Sequence, residues 1–171
     1  MLKGKVFKFG NDVSTDHITA GRYAHLRNNI PELAKHVMED ADPTFASRVG
    51  SGDFIVAGSN FGLGSSREHA SLVIKEAGVS AVLAKSVARI FFRNATNQGL
   101  PALICDTDKI NEGDDLEIDL ASGTIKDATN GNQLTFGKIP EVMLRILNEG
   151  GLVPYIKKYG GFKINKAEII T

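Results

Sequence analysis

The residues best suited to chemistry lie in one stretch, Gly58-Ser59-Asn60-Phe61-Gly62-Leu63-Gly64-Ser65-Ser66-Arg67-Glu68-His69-Ala70, between an apolar run and an amphipathic one. Gly62 and Gly64 permit a tight turn and a close backbone approach to a ligand. Ser65 and Ser66 add two hydroxyls, and Arg67 adds a fixed charge in a fork geometry that matches a carboxylate. A helix opening here points unpaired amides and a partial positive charge at the same place, which favours an anion. A structural reading competes: Ser65 and Glu68 are three apart, the spacing of a capping box that would satisfy the first helical turn. That leaves Ser66, Arg67 and His69 without a task. No Gly-Lys-Ser/Thr follows, the third glycine of a dinucleotide fingerprint is missing, and Gly64-Ser65-Ser66-Arg67 is not a Gly-x-Ser-x-Gly elbow, so nucleotide and hydrolase chemistry lose ground.

Other polar residues are weaker signals. Asp16 and Thr19 fall in Asn11-Asp12-Val13-Ser14-Thr15-Asp16-His17-Ile18-Thr19, which reads either as an Asx-type turn or as polar lining. His17 is a turn or a functional histidine, and His69, one turn into the helix, is expected to make a structural hydrogen bond. Arg89 and Arg93 are four apart on a second helix, a spacing for supporting ion pairs. His36 has no companion at metal-ligand spacing, so no metal site is expected. Cys105 is the only cysteine and sits in an apolar run, Ala102-Leu103-Ile104-Cys105, as a passive core thiol.

The elements that must position these residues are visible in the hydrophobic pattern. Phe54-Ile55-Val56-Ala57 and Ala81-Val82-Leu83-Ala84 suit strands buried on both faces. Between them a helix over 66–77 carries Ala70, Val73, Ile74 and Ala77 on one stripe and stops at Gly78, which makes a βαβ unit. A second helix over 86–98, with Ile90, Phe91 and Ala95 facing the sheet, leads to the strand at Ala102. From Asp114 the texture changes to half-exposed antiparallel strands around Ser122-Gly123 and Asn130-Gly131, and Pro140 opens a final helix through Leu147. Residues 27–50 hold a helix over 31–39 and read as an insertion beside the core; the basic tail from Lys157 is expected to be loosely held. The expected fold is α/β, with a central parallel sheet flanked by helices and a smaller antiparallel sheet.

With 171 residues, 42% hydrophobic and 23% charged, the chain suits one compact domain. Twenty basic residues balance twenty acidic ones, which leaves no overall field for nucleic acid or an anionic membrane. No run reaches the roughly 18 apolar residues of a membrane span, and the first residues lack a secretory pattern, so a cytoplasmic protein is expected. One thiol cannot hold an iron–sulfur cluster, which ordinarily needs several thiolates.

The heptapeptide Gly64-Ser65-Ser66-Arg67-Glu68-His69-Ala70 resembles the signature of the swivelling C-terminal domain of aconitases and of isopropylmalate isomerase small subunits. Asn11 to Thr19 resembles that family's Thr-Asp-x-Ile segment, and Ala88-Arg89-Ile90-Phe91-Phe92-Arg93-Asn94 its helix before a Gly-Leu-Pro strand. The likeness covers about residues 4–160 and implies one swivel domain over 1–171, with tail 157–171, in a three-layer β/β/α arrangement. It implies the small subunit of a two-subunit hydro-lyase whose cluster-bearing large subunit, in a heterodimer or heterotetramer, supplies a 4Fe-4S cluster; none is bound by this chain. It places the catalytic base on Ser65 and substrate binding on Ser66, Arg67, Asp16, Thr19 and Arg27. Serine is a very poor base in water, so a helix N-terminus and a guanidinium are needed beside it.

The resemblance also marks a specificity loop, Tyr23, Ala24, His25 and Leu26, that reads the side group of a small 2-hydroxydicarboxylate or tricarboxylate. His25 fits neither an isopropyl-type nor a carboxyalkyl-type loop. Isopropylmalate isomerisation in leucine synthesis leads the expectation, followed by homoaconitase and dimethylmalate or citraconate-type hydratases, with a non-catalytic anion-binding domain as the alternative of another class.

Overall fold

The structure, a computed structural model, describes residues 1–162. Its centre is a seven-stranded sheet in the order β4-β3-β2-β1-β5-β6-β7. The strands are β1 (Leu2–Lys8), β2 (Phe54–Ala57), β3 (Ala81–Ala84), β4 (Ala102–Ile104), β5 (Asp115–Asp119), β6 (Thr124–Asp127) and β7 (Gln133–Thr135). β1 is the hinge between two textures: it runs parallel to β2 (Val6 opposite Phe54) and antiparallel to β5 (Leu2 opposite Ile118). The antiparallel strands therefore continue the parallel sheet instead of forming a separate smaller one.

Side-chain alternation sorts the core into two layers. Ile55, Ala57, Val82 and Ala84 face one side, under helices α4 (Glu68–Glu76) and α5 (Arg89–Asn97). Phe54, Val56, Ala81 and Leu83 face the other and pack with Leu116, Ile118, Ile125 and Leu134 of the antiparallel half. The sheet thus curls over itself into a half-barrel, and the layering is sheet on sheet on helices.

Four expectations change. Residues 27–50 are no insertion: α2 (Ile30–Ala34), following α1 (Thr15–Ile18), and then α3 (Phe45–Arg48) set Leu33, Val37, Met38 and Phe45 fully inside, with Phe45 edge-on to Phe7 at 5.1 Å. The helix predicted over 31–39 is shorter, continuing as turns after Ala34. Ile90 is 43% exposed while Phe91 and Ala95 are buried, because only the latter two share the stripe that meets the sheet. After α6 (Glu141–Asn148) a further helix, α7 (Leu152–Tyr159), holds Lys157 and Lys158 and buries Tyr155. The rest of the expected tail, from 163, lies outside the described residues.

Candidate active site

The C-terminal ends of β1, β2 and β3 point the same way, and three connections meet above them, the edge at which open α/β sheets bind ligands. The loop after β2 is strung between the other two. Gly58 N–H donates to the Gly10 carbonyl (3.0 Å), Gly62 N–H to Val13 (2.7 Å), and Thr15 N–H to Leu63 (2.8 Å). On the other side Phe61 N–H donates to Ser86 (3.0 Å), and Ala88 N–H donates back to Phe61 (2.9 Å). The Thr15 hydroxyl closes the arrangement on the Ser65 carbonyl at 3.1 Å.

Gly62 makes this path possible. Its φ is +76°, and a Cβ there would lie 2.4 Å from Cγ of Phe91, a buried ring edge-on to Phe61. Gly62→Ala combines left-handed strain with overlap against a packed ring, an expected cost of about 2–4 kcal/mol. Thermal unfolding reads it directly, and a melting temperature unchanged from the parent would contradict the packing described.

The loop ends where α4 begins, at Glu68, with Arg67 as the N-cap and no side-chain cap. The Ser65–Glu68 capping box is not formed, since Glu68 accepts from Gln98 Nε2 (2.9 Å). A capping box stands instead at Ser14 and His17: Ser14 Oγ accepts the His17 amide (3.2 Å), and His17 Nδ1 accepts the Ser14 amide (3.0 Å). His17 is thereby a turn residue. Ser65 and Ser66 are exposed, and among the described residues neither hydroxyl has a partner. The amides of Ser66, Glu68 and His69 likewise donate to no acceptor among the described residues, as at a ready anion site.

Arg67 turns back under the neighbouring connection. Its Nη1 donates to the Thr19 carbonyl (2.6 Å) and, more weakly, to that of Thr15 (3.4 Å), while Nη2 pairs with Asp16 (2.5 Å). Asp16 therefore orients Arg67 from an exposed position. Thr19 is buried, its hydroxyl donating to the Thr15 carbonyl (3.2 Å).

Beside Arg67 opens a cavity of about 230 Å³ whose walls include Thr19, Tyr23, Arg27, Leu33, Arg67 and His69. The Tyr23 hydroxyl is held outward by Glu39 (3.0 Å), and its ring stacks on His36 at 3.9 Å. Hydrogen bonds from His36 and then Arg22 keep the Glu39 carboxyl below its usual range. His36 is thus part of the scaffold. Of the expected specificity loop, which forms a 3₁₀ turn over Gly21–Leu26, Ala24 also lines the cavity; His25 is exposed and Leu26 packs on the core.

His69 differs from expectation. Its ring makes no structural hydrogen bond among the described residues; it faces the cavity, half-buried. Burial first, and then the charges of Arg67 and Arg27, push its pKa below the ordinary value. Arg89 and Arg93 are exposed, and among the described residues neither has an acidic partner, so the expected supporting pairs are absent.

Elsewhere, a wider groove of about 440 Å³ runs past Lys75 and Val153, but the Lys75 ammonium is already held by the carbonyls of Gln98 (2.7 Å) and Gly150 (3.0 Å). Cys105 is buried, and burial pushes its thiol up to about 11. A single thiol disfavoured as thiolate does not fit an iron–sulfur cluster. No helix among the described residues is long and apolar enough to cross a membrane.

The comparison with known families matches residues 12–107 to the aconitase C-terminal domain. The chain belongs to the aconitase family. Every side chain of the site just described, from Asp16 to His69, falls inside the matched span. This aconitase-family domain is 65% identical to the small subunit 2 of 3-isopropylmalate dehydratase from Archaeoglobus fulgidus, over 95% of this chain and 99% of that one. It is 59% identical to a 3-isopropylmalate dehydratase small subunit from Thermotoga maritima, over 95% and 98%. A crystal structure of 3-isopropylmalate dehydratase from Methanocaldococcus jannaschii superposes with a TM-score of 0.89 at 46% identity, covering 93% of this chain and 95% of that one.

Proposed function

We propose that the chain is the small subunit of a 3-isopropylmalate dehydratase, the hydro-lyase that interconverts 2- and 3-isopropylmalate by loss and return of water. The small-subunit relatives support the assignment, and their name implies a large-subunit partner. The observation that carries the chemistry is the unengaged Ser65 hydroxyl, exposed two residues before the anchored guanidinium of Arg67 and beside free amides.

Ser65, as its alkoxide, takes a proton from the substrate carbon adjacent to the one that loses hydroxyl, the C–H electrons forming the double bond as hydroxide leaves, and the step runs in reverse when water returns. Ser66, the amides at the start of α4 and the positive wall of the cavity hold carboxylate, so the dianion is oriented before the proton moves. Asp16 and the Thr19 carbonyl fix Arg67 in one rotamer for this work. The apolar faces of Tyr23, Ala24 and Leu33 suit an isopropyl group. A four-iron cluster, for which this chain has no ligand set, would be held by the large subunit and would supply Lewis-acid chemistry at the substrate hydroxyl.

Reconstitution with a cluster-bearing large subunit tests the assignment. Turnover is expected on 2-isopropylmalate and not with the small subunit alone, with kcat/KM on homocitrate and 2,3-dimethylmalate lower by about 10–200-fold, the range an apolar pocket achieves. Arg27 gives homocitrate its claim, since it is exposed at the cavity with no carboxylate partner among the described residues. Preference for homocitrate would reassign the substrate, and an inert complex that still binds dicarboxylates would be a non-catalytic anion-binding domain.

A further inference from the structure

The wall of the cavity beside Arg67 is rich in donors whose protein acceptors are already taken. The Thr19 carbonyl and the Asp16 carboxylate are held by Arg67, the Thr19 hydroxyl donates to Thr15, and the Tyr23 hydroxyl is directed to Glu39. Arg27, Arg67 and His69 also line the space. The half-buried His69 ring has no partner among the described residues. Its neighbour Glu68 accepts from Gln98 and reaches the His69 ring only through its charge, the weakest of the influences on it.

We propose that His69 is a further substrate-binding residue, donating a hydrogen bond to the substrate carboxylate that enters between Arg27 and Arg67. Two arginines and the His69 ring line one space in which the Thr19 carbonyl is already held by Arg67, a lining that suits an anion with several lone pairs. Burial and the two neighbouring cations keep the ring neutral, so one ring nitrogen carries the proton that is donated. The identity of the carboxylate's bearer rests on the dehydratase reading; the carboxylate chemistry does not.

The test uses the assembled two-subunit enzyme with His69→Leu and His69→Gln, the second retaining an N–H donor of similar reach. Loss of a hydrogen bond to a charged group predicts that His69→Leu raises KM for 2-isopropylmalate by roughly 10–100-fold, with kcat changed by less than about threefold, and that His69→Gln recovers most of the loss. Calorimetric titration with isopropylsuccinate, a dicarboxylate without the reacting hydroxyl, should show the same loss and rescue in Kd. Unchanged KM and Kd in His69→Leu, failure of Gln to rescue, or no binding of isopropylsuccinate by the parent enzyme would each overturn the assignment. A parent complex inert toward 2-isopropylmalate that still binds isopropylsuccinate in a His69-dependent way would sink the dehydratase reading and leave His69 standing.

Discussion

Ser65→Ala is expected to lower kcat of the reconstituted enzyme by about 10²–10⁴, the range that general base catalysis supplies, while KM moves by no more than a few-fold. The reason for the split is positional. The Ser65 side chain holds nothing in place: it is exposed and has no partner among the described residues, whereas its carbonyl receives the Thr15 hydroxyl and would still do so in alanine. Folding should therefore be unaffected to within about 0.5 kcal/mol, as for other surface substitutions that break no contact. The large subunit should still co-purify. Ser66→Ala, which on the proposed reading removes a carboxylate donor and not the base, should act chiefly on KM. Near-normal turnover in Ser65→Ala would place the proton acceptor on another group.

The environment of that hydroxyl is not the one the sequence suggests. A helix opening at Ser66 would place Ser65 on the end of the helix dipole, whereas α4 opens at Glu68 and Ser65 lies two residues outside its N-cap. On the proposed reading, stabilisation of a Ser65 alkoxide then rests on the adjoining free amide of Ser66 and not on capping geometry. On the proposed reading, a base held this openly would gain strength only when a partner surface excludes water.

Much of the parallel core could be read from the chain, because strands buried on both faces are short apolar runs and each crossover helix shows one stripe. The helix start could not. Ser65 and Glu68 have the spacing of a cap, yet the backbone from Phe61 to Ser65 is drawn onto residues 13–15 and 86–88 by bonds that local sequence does not reveal. The real capping box uses His17 in place of the usual Glu or Gln, so its signature was hidden. In α7, Pro154 falls in the first turn, where no amide is required, so it does not interrupt the helix. Residues 27–50 look polar because their turns are, while Leu33, Val37, Met38 and Phe45 carry the burial.

The candidate site divides along the same line. Ser65, Ser66 and Arg67 were legible because they are contiguous and chemically conspicuous. The pairing of Arg67 with Asp16, and the turn of His69 into the cavity, depend on how the connection after β1 crosses over α4. Such crossings are tertiary facts. A histidine one turn into a helix has the same sequence signature whether it faces a core, a neighbour or an opening.

Arg67→Lys separates the charge at this crossing from its geometry. Lysine keeps the positive charge but presents a compact ammonium on a flexible stem in place of a planar fork. The guanidinium spans the Thr19 and Thr15 carbonyls on one nitrogen and Asp16 on another, a set of contacts the ammonium cannot reproduce while also facing substrate. A poorly satisfied carbonyl at buried Thr19 is expected to cost about 1–3 kcal/mol, a fall in melting temperature of roughly 2–10 °C for a chain of this size. On the assembled enzyme the proposed role predicts a fall in kcat/KM of about 10²-fold or more, because an ammonium held by the Thr19 carbonyl and Asp16 has no planar fork left to orient a carboxylate. The two readouts distinguish the possible roles. A lower melting temperature with unchanged kcat/KM would make Arg67 a strut between two connections and nothing more, and would move carboxylate recognition to Arg27 and His69. A parent-like melting temperature with impaired kcat/KM would mean that Asp16 and the two carbonyls do not hold the arginine firmly, and that substrate recruits it from the wall when it binds.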